Sequence, residues 1–404
     1  MLKNWTLIVT VVLLSTYFVS AQNPTTIALA NANQMIKEKQ YLSAFNYLHA
    51  NDPENQNIAL VSAKYNLVKQ YFIVSIMHEM FSLKDLEEEE DIKDLRGQQG
   101  ESITVDFNPR KALESLLKQF PDKIGLHYDL ADYYFDVHLT YNYEWLMPVE
   151  QQLKKIKHHN SFLLGTNLET AKTHYAIAYV ALVDGGLNDA IKSFKTCLKM
   201  DSLYTEAYYN MAYAYLYNNV KDSCLINAQI AFKLYDSPNS KADAARMIAV
   251  VYDEQNNQQA AKKYYKIACN LQPNNYYNVG PLLDIYVREN LAMADSLRLA
   301  FFNIDPTEPT IYNDLGDIYN YYKKSNELTG FYEYQLTQHN DNLILANLHF
   351  YLAQQYLETD LKVAAEAFNR ANKLFALIFE PEHPVFKVIQ DALKMTAPIY
   401  QDKP

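Results

Sequence analysis

Apolar and small residues recur at helical spacing along most of the chain, and one pattern repeats. A large apolar residue, a neighbour that is usually small, and a tyrosine three residues later form a triplet. Leu130, Ala131 and Tyr134 make one; Met211, Ala212 and Tyr215 make the next clear case. Ile248–Ala249–Tyr252, Leu282–Leu283–Tyr286, Leu315–Gly316–Tyr319 and Leu352–Ala353–Tyr356 follow, while Ile177, Ala178 and Ala181 lack only the tyrosine. From Ala181 onward the last members advance by 34, 37, 34, 33 and 37 residues. A second run follows each triplet, such as Ala190, Phe194 and Cys197, or Ala261, Tyr265 and Ala268, or Ala364, Phe368 and Ala371. Spacing of three to four residues places each run on one helix face. The small members let two antiparallel helices approach closely, and the large ones reach into the next pair. Asp201-Ser202, Gln272-Pro273-Asn274 and Asp305-Pro306 then stop the second helices.

A period near 34 built from helix pairs resembles the tetratricopeptide repeat (TPR) family. Tyr312, Leu315, Gly316 and Tyr319 match the family's first-helix motif, and Ile248, Ala249, Tyr252, Ala261, Tyr265, Ala268 and Pro273 follow a whole unit. Seven units in register span 124–379. The resemblance implies an all-α, right-handed superhelical solenoid of antiparallel helix pairs. Two units depart from the pattern. Arg298 and Phe301 stand where Phe and Ala are expected, Pro281 sits in a first helix, and the unit around Tyr319 lacks its alanines. A local irregularity is expected over 275–345.

In that family the first helix of each pair lines a concave groove, at positions flanking the triplet. Carried onto this chain, those positions are Lys172, Tyr175 and Tyr179, then Tyr209, Asn210, Tyr213 and Tyr217. Tyr175 and Tyr179 are four apart, as are Tyr209 and Tyr213, so each pair shares a helix face. Later units put Asp243, Asp253, Glu254, Asp284, Asp314 and Asp317 at matching places; the unit before adds Tyr128, Asp129 and Asp132. Two readings stand side by side: the tyrosines pack between repeats and the acids are solvated, or together they form an aromatic, acidic binding groove. A carboxylate clamp of the family type is disfavoured, because only Asn210 matches it. An acidic, aromatic groove suits a basic or proline-containing extended segment.

Before residue 124 the pattern weakens. Residues 27–50 and 58–83 read as helices, forming a helical N-terminal region over 22–123 with degenerate repeats. Residues 84–107, with five consecutive acids at 87–91, read as an exposed loop. A second insertion is expected at 136–167, carrying a basic patch at 151–159. Residues 380–404 read as a capping helix and tail. At the start, Lys3, an apolar run over 5–19 and Val19-Ser20-Ala21 form a secretory signal pattern over 1–21, with an uncleaved anchor as the alternative. That predicts a periplasmic or secreted protein.

Composition narrows the chemistry. With nine glycines in 404 residues a phosphate-cradling loop is improbable, and a formal charge of −11 disfavours nucleic acid. Cys197, Cys224 and Cys269 match no zinc spacing and fall at packing positions. His78-Glu79 lacks the second histidine of a zinc-protease helix. His158 and His159 are adjacent, so on a helix they point about 100° apart and do not readily share a metal. No catalytic motif, metal or cofactor is expected. The reading is a non-catalytic protein–protein interaction scaffold of the cell envelope, binding another protein or peptide in its groove, with self-association as a further option. The alternative is a glycan-binding protein with a helical-repeat core.

Overall fold

Why helix pairs form with so little glycine is visible in the turns. The residue that must take the left-handed conformation is Asn219, Asn256, Asn290 or Lys323 in four successive pairs, and Gly185 in an earlier one. Asparagine tolerates positive φ better than other side-chain-bearing residues. In each case the next amide donates to a carbonyl near the end of the first helix. Val220 donates to Tyr215, Asn257 to Tyr252, Leu291 to Tyr286, Lys324 to Tyr319, and Gly186 to Ala181, at 2.7–3.0 Å. These are Schellman-type ends, and the accepting residue is the last member of the triplet each time. Lys323 is the least suited of the turn residues. Lys323→Gly should therefore raise unfolding free energy by about 0.5–1 kcal/mol, whereas Lys323→Ala should not; chemical denaturation of the two variants decides it.

The computed structural model describes residues 23–98 and 100–396; the expected signal sequence and the end of the tail lie outside the described residues. The chain divides into two compact units, one ending at Ser202 and the other beginning at Leu203. In the first, α1 (Pro24–Lys37) pairs with α2 (Tyr41–Asn51), and α3 (Ile58–Tyr71) packs on both. A hairpin of β1 (Val74–Ile76) and β2 (Met80–Leu83) follows, then α4 (Ile92–Leu95), β3 (Ile103–Val105) and α5 (Pro109–Gln119). α6 (Ile124–Tyr141) pairs with α7 (Val149–Leu163), and α8 (Ala171–Val183) with α9 (Leu187–Met200). In the second unit the pairs are α10 (Thr205–Tyr217) with α11 (Lys221–Leu234), α12 (Pro238–Glu254) with α13 (Gln258–Leu271), and α14 (Tyr276–Arg288) with α15 (Ala294–Phe302). α16 (Pro309–Tyr321) with α17 (Ser325–Gln338) and α18 (Asn342–Tyr356) with α19 (Leu361–Phe375) complete the pairs, and α20 (Pro384–Thr396) packs on α19. Each expected triplet lies on the first helix of a pair. Leu130, Tyr134, Ala212, Ile248, Ala249, Leu315 and Tyr319 are all buried. This is the TPR-like, all-α stack of antiparallel helix pairs that the repeat implied.

Three expectations need correction. The helix over 58–83 ends at Tyr71, and the rest is β-structure: β2 pairs antiparallel with β1 (Ser75↔Phe81) and with β3 (Ser82↔Thr104). Ile73, Val74 and Ile76 are β-branched and favour the strand; Met77 and His78 adopt positive φ to make the turn. The segment 84–107 is consequently not a plain loop. Val105 and Phe107 are buried, Lys39 Nζ donates to the carbonyls of Glu88 (2.7 Å) and Glu90 (2.8 Å), and the Asp85 carboxylate accepts from the Ser43 amide and hydroxyl. The insertion at 136–167 is largely the end of α6 and all of α7. Trp145 anchors the link between them, its Nε1 donating to the Met77 carbonyl at 2.8 Å. The irregular unit shows as Pro281 inside α14 and an α15 of nine residues. Arg298 is buried there with its guanidinium over Tyr319 and Phe331.

Candidate functional site

The expected partner-facing residues divide between the two units. In the first, Tyr175 is only 5% exposed, its ring edge-on to Phe135 and tilted against Phe194. It is a core residue, and its expected place in a groove is withdrawn. The reason was legible: Tyr175 precedes Ala178 by three and so shares the face of the small packing residue. Tyr179 is half-buried and edge-on to Phe135 and His138. His138 Nδ1 donates to Gln152 Oε1 at 3.0 Å, which leaves its Nε2 to accept from the Tyr179 hydroxyl at 3.4 Å. Burial raises the Tyr179 pKa and lowers that of His138.

Nor is the acidic flank of this unit free charge. Asp132 and Asp136 share Lys69 and Lys172: Lys69 Nζ lies 2.6 Å from Asp136, and Lys172 Nζ lies 2.5 Å from Asp132 and 3.0 Å from Asp136. Lys69 also pairs with Asp132, and Tyr65 donates to Asp132 at 2.8 Å. Asp129 is buried and accepts from Ser62. Burial carries the Asp129 pKa up to about 6. Burial would also raise that of Asp132, but the two lysines outweigh it and hold it low. Lys172 is accordingly engaged as the counter-charge of Asp132 and Asp136, although its side chain is still more than a third exposed.

In the second unit Tyr209 is half-buried against the core cluster that contains Ala212, Met247 and Ile248, edge-on to Tyr235, with its pKa raised by burial and then by Asp243. Asn210 is also half-buried. Tyr213 and Tyr217 are exposed, their rings 4.5 Å apart. Their hydroxyl contact pushes the Tyr213 pKa up to about 12. Asp243 pairs with Arg246 at 3.0 Å, and Asp253 is half-buried close enough to raise the Asp284 pKa slightly, burial being the main cause.

The groove residues meet further along, across the first helices α12, α14 and α16. A recess of about 380 Å³ is lined there by Arg246 and Val250 from α12 and by Tyr276, Tyr277, Gly280, Pro281 and Asp284 from α14. Asp314, Asp317 and Ile318 come from α16, and Tyr265 closes one side from α13. Tyr276 donates its hydroxyl to Asp314, and Tyr322 donates to Asp284 at 3.3 Å. Tyr277 is 64% exposed, with the Arg246 guanidinium 5.7 Å from its ring centre. Gly280 lets α14 close on α15, since a Cβ there would lie 3.1 Å from buried Phe301. Asp284, Asp314 and Asp317 were expected at such positions. Arg246, Tyr276, Tyr277 and Ile318 were not, although Tyr277 lies four and seven residues before Pro281 and Asp284, on one helix face.

Fold and site together define a TPR-like stack with an aromatic, acidic recess on its first helices. Among solved structures, the chain is similar to MamA (21% identity over 38% of this chain and 88% of that one, TM-score 0.34). It is also similar to a tetratricopeptide repeat protein from Parabacteroides merdae ATCC 43184 (15% identity, 67% and 98% covered, TM-score 0.40). A third is YrrB, a TPR protein with an unusual peptide-binding site (16% identity, 56% and 94% covered, TM-score 0.33). No family model and no curated protein matches the chain.

Proposed function

We propose that the chain is a non-catalytic protein–protein interaction scaffold that holds an extended, basic segment of another protein in the α12–α14–α16 recess. One observation carries this reading. Three carboxylates, Asp284, Asp314 and Asp317, line an apolar-floored recess beside the exposed Tyr277 ring; Arg246, which also lines it, is paired with Asp243, and Arg288 reaches Asp284 alone, at 3.9 Å. Lysine or arginine side chains of a bound segment meet opposite charge and an aromatic face at once. Stacked repeats use such extended surfaces for binding. The signal pattern at 1–21 supports placing this scaffold in the cell envelope of a bacterium.

The test is an array of random extended peptides probed with residues 22–404. Enrichment of Arg- and Lys-containing segments is expected, with binding that weakens as salt rises. Asp314→Asn with Asp317→Asn should cost about tenfold or more in affinity, while Tyr175→Phe should change nothing. Selection of neutral or acidic peptides, or affinities unmoved by the double substitution, would remove the recess as the site. A parallel glycan array tests the carbohydrate alternative, since the exposed Tyr277 ring and the carboxylates beside it are also groups that a sugar ring can meet.

A further inference from the structure

Outside that recess, the first unit brings together three histidines that are far apart in the chain. His127 stands on α6; His158 and His159 stand on the facing α7. One ring nitrogen from each lies within 4.8 Å of the other two. His127 Nδ1 and His159 Nδ1 are 3.0 Å apart. Ligands held at about 2.0–2.1 Å in a tetrahedral shell stand roughly 3.4 Å from one another, so this pair, now at hydrogen-bond distance, would need to part by only a few tenths of an ångström. Adjacent histidines on one helix do diverge, as the sequence suggested. What the helix pairing adds is a third imidazole facing them.

The surroundings fix which nitrogen is offered. His127 Nε2 lies 3.1 Å from the Pro121 carbonyl, which can only accept, so Nε2 carries the hydrogen and Nδ1 presents its lone pair. A carbonyl on the far ring nitrogen is the usual support behind a metal-bound histidine. Both buried rings are held in place. His127 stacks on Phe162 with centroids 3.9 Å apart, and His159 lies parallel to Tyr134 at 5.7 Å. His159 faces His127 through its Nδ1, and its Nε2 has no partner among the described residues, so the carbonyl support stands behind His127 alone. His158 is exposed, its ring centre 4.9 Å from that of His159 and edge-on to Phe162 at 5.0 Å.

We infer that His127, His158 and His159 form a binding site for a divalent transition-metal ion of the zinc class. Three neutral imidazoles, with neither thiolate nor carboxylate among them, suit Zn²⁺, Ni²⁺ or Cu²⁺ and not Mg²⁺ or Ca²⁺. Without metal, His159 Nδ1–H donates to His127 Nδ1. On binding, the ion takes the place of that bridging proton, which moves to His159 Nε2, so the ligand set keeps its charge. The solvent side at His158 leaves a coordination position open to water or to a ligand from a partner.

Equilibrium dialysis of the untagged, chelator-stripped protein against Zn²⁺, followed by metal analysis, tests this. One ion per chain is expected, not displaced by excess Mg²⁺. Co²⁺ in place of Zn²⁺ should give visible d–d absorption. His158→Gln, at an exposed position where folding is not at issue, should weaken Zn²⁺ binding about tenfold or more. His159→Gln should remove it, with far-ultraviolet circular dichroism reporting whether the helices persist. No retained Zn²⁺ in the wild-type chain, or equal retention by wild type and His158→Gln, would show a plain histidine hydrogen bond in the core and overturn the assignment.

Discussion

Asp132→Ala should destabilise the first unit by about 2–4 kcal/mol, the largest effect expected from a single substitution. Asp132 takes charge from Lys69 and Lys172 and a hydrogen bond from Tyr65. Removing it leaves Lys69 and Lys172 sharing Asp136 alone, and leaves the buried Tyr65 hydroxyl without its acceptor. Breaking one side of a buried ionic network costs about 3–5 kcal/mol. The expected value falls at and below the bottom of that range because all four charged side chains are partly exposed, Lys172 by more than a third. Asp132→Asn keeps an acceptor for Tyr65 but not the charge, and should fall between wild type and alanine. Urea denaturation of the three chains measures this. A loss under about 1 kcal/mol in the alanine variant would mean the network is held together by solvent rather than by its own pairing.

Acid should loosen the first unit well before most carboxylates titrate. His78, His127, His138 and His159 all have pKa values lowered, chiefly by burial, and His159 is carried down to about 3. An unfolded histidine titrates near 6.5. Above that pH neither state is charged and the contribution to stability is complete. As pH falls below about 6.5, the unfolded chain binds protons that the folded chain refuses, and stability declines. For His159 alone the loss reaches on the order of 4 kcal/mol by about pH 3.

Asp129 works in the opposite sense. Its pKa of about 6 lies above the unfolded value, so protonation below pH 6 favours the folded chain. Asp132, held low, adds to the acid loss only once the pH approaches its unfolded value near 4. The expected result is a fall in unfolding free energy that begins near pH 7 and steepens below about 6.5, offset in part below pH 6 by Asp129. His159→Asn should flatten the profile. Denaturation in the presence of chelator at pH 7.5, 6.5, 5.5 and 4.5 reads it. A level profile from pH 7.5 to 5.5 would mean these imidazoles are not kept neutral.

Much of the architecture was readable because helical periodicity is local. The triplets, the period near 34 and the stop residues each depend on neighbours within a turn or two. The same rule would have separated Tyr175 from Tyr213: three residues before Ala178 is the packing face, while one residue after Ala212 is about 100° away from it. The strands at 74–83 were harder to read, since a run such as Ile73-Val74-Ser75-Ile76 fits a buried helix or a strand until its partner is known. Pairing with β3, some twenty residues later, settles the matter.

By itself the sequence determined that the chain folds as helix pairs, that small residues set the approach within each pair, and that tyrosine and aspartate crowd the first helices. Those are consequences of side-chain period and size. Only the tertiary structure decided which acids meet a counter-charge inside the fold and which line an open recess. Asp132 is spent on Lys69 and Lys172, brought to it by α3 and α8, while Asp314 and Asp317 face a recess where Arg246 is already paired. It also decided that His127 meets His158 and His159 across α6 and α7. Charge compensation and ligand geometry act over a few ångströms in space, between residues that the chain separates by thirty or more.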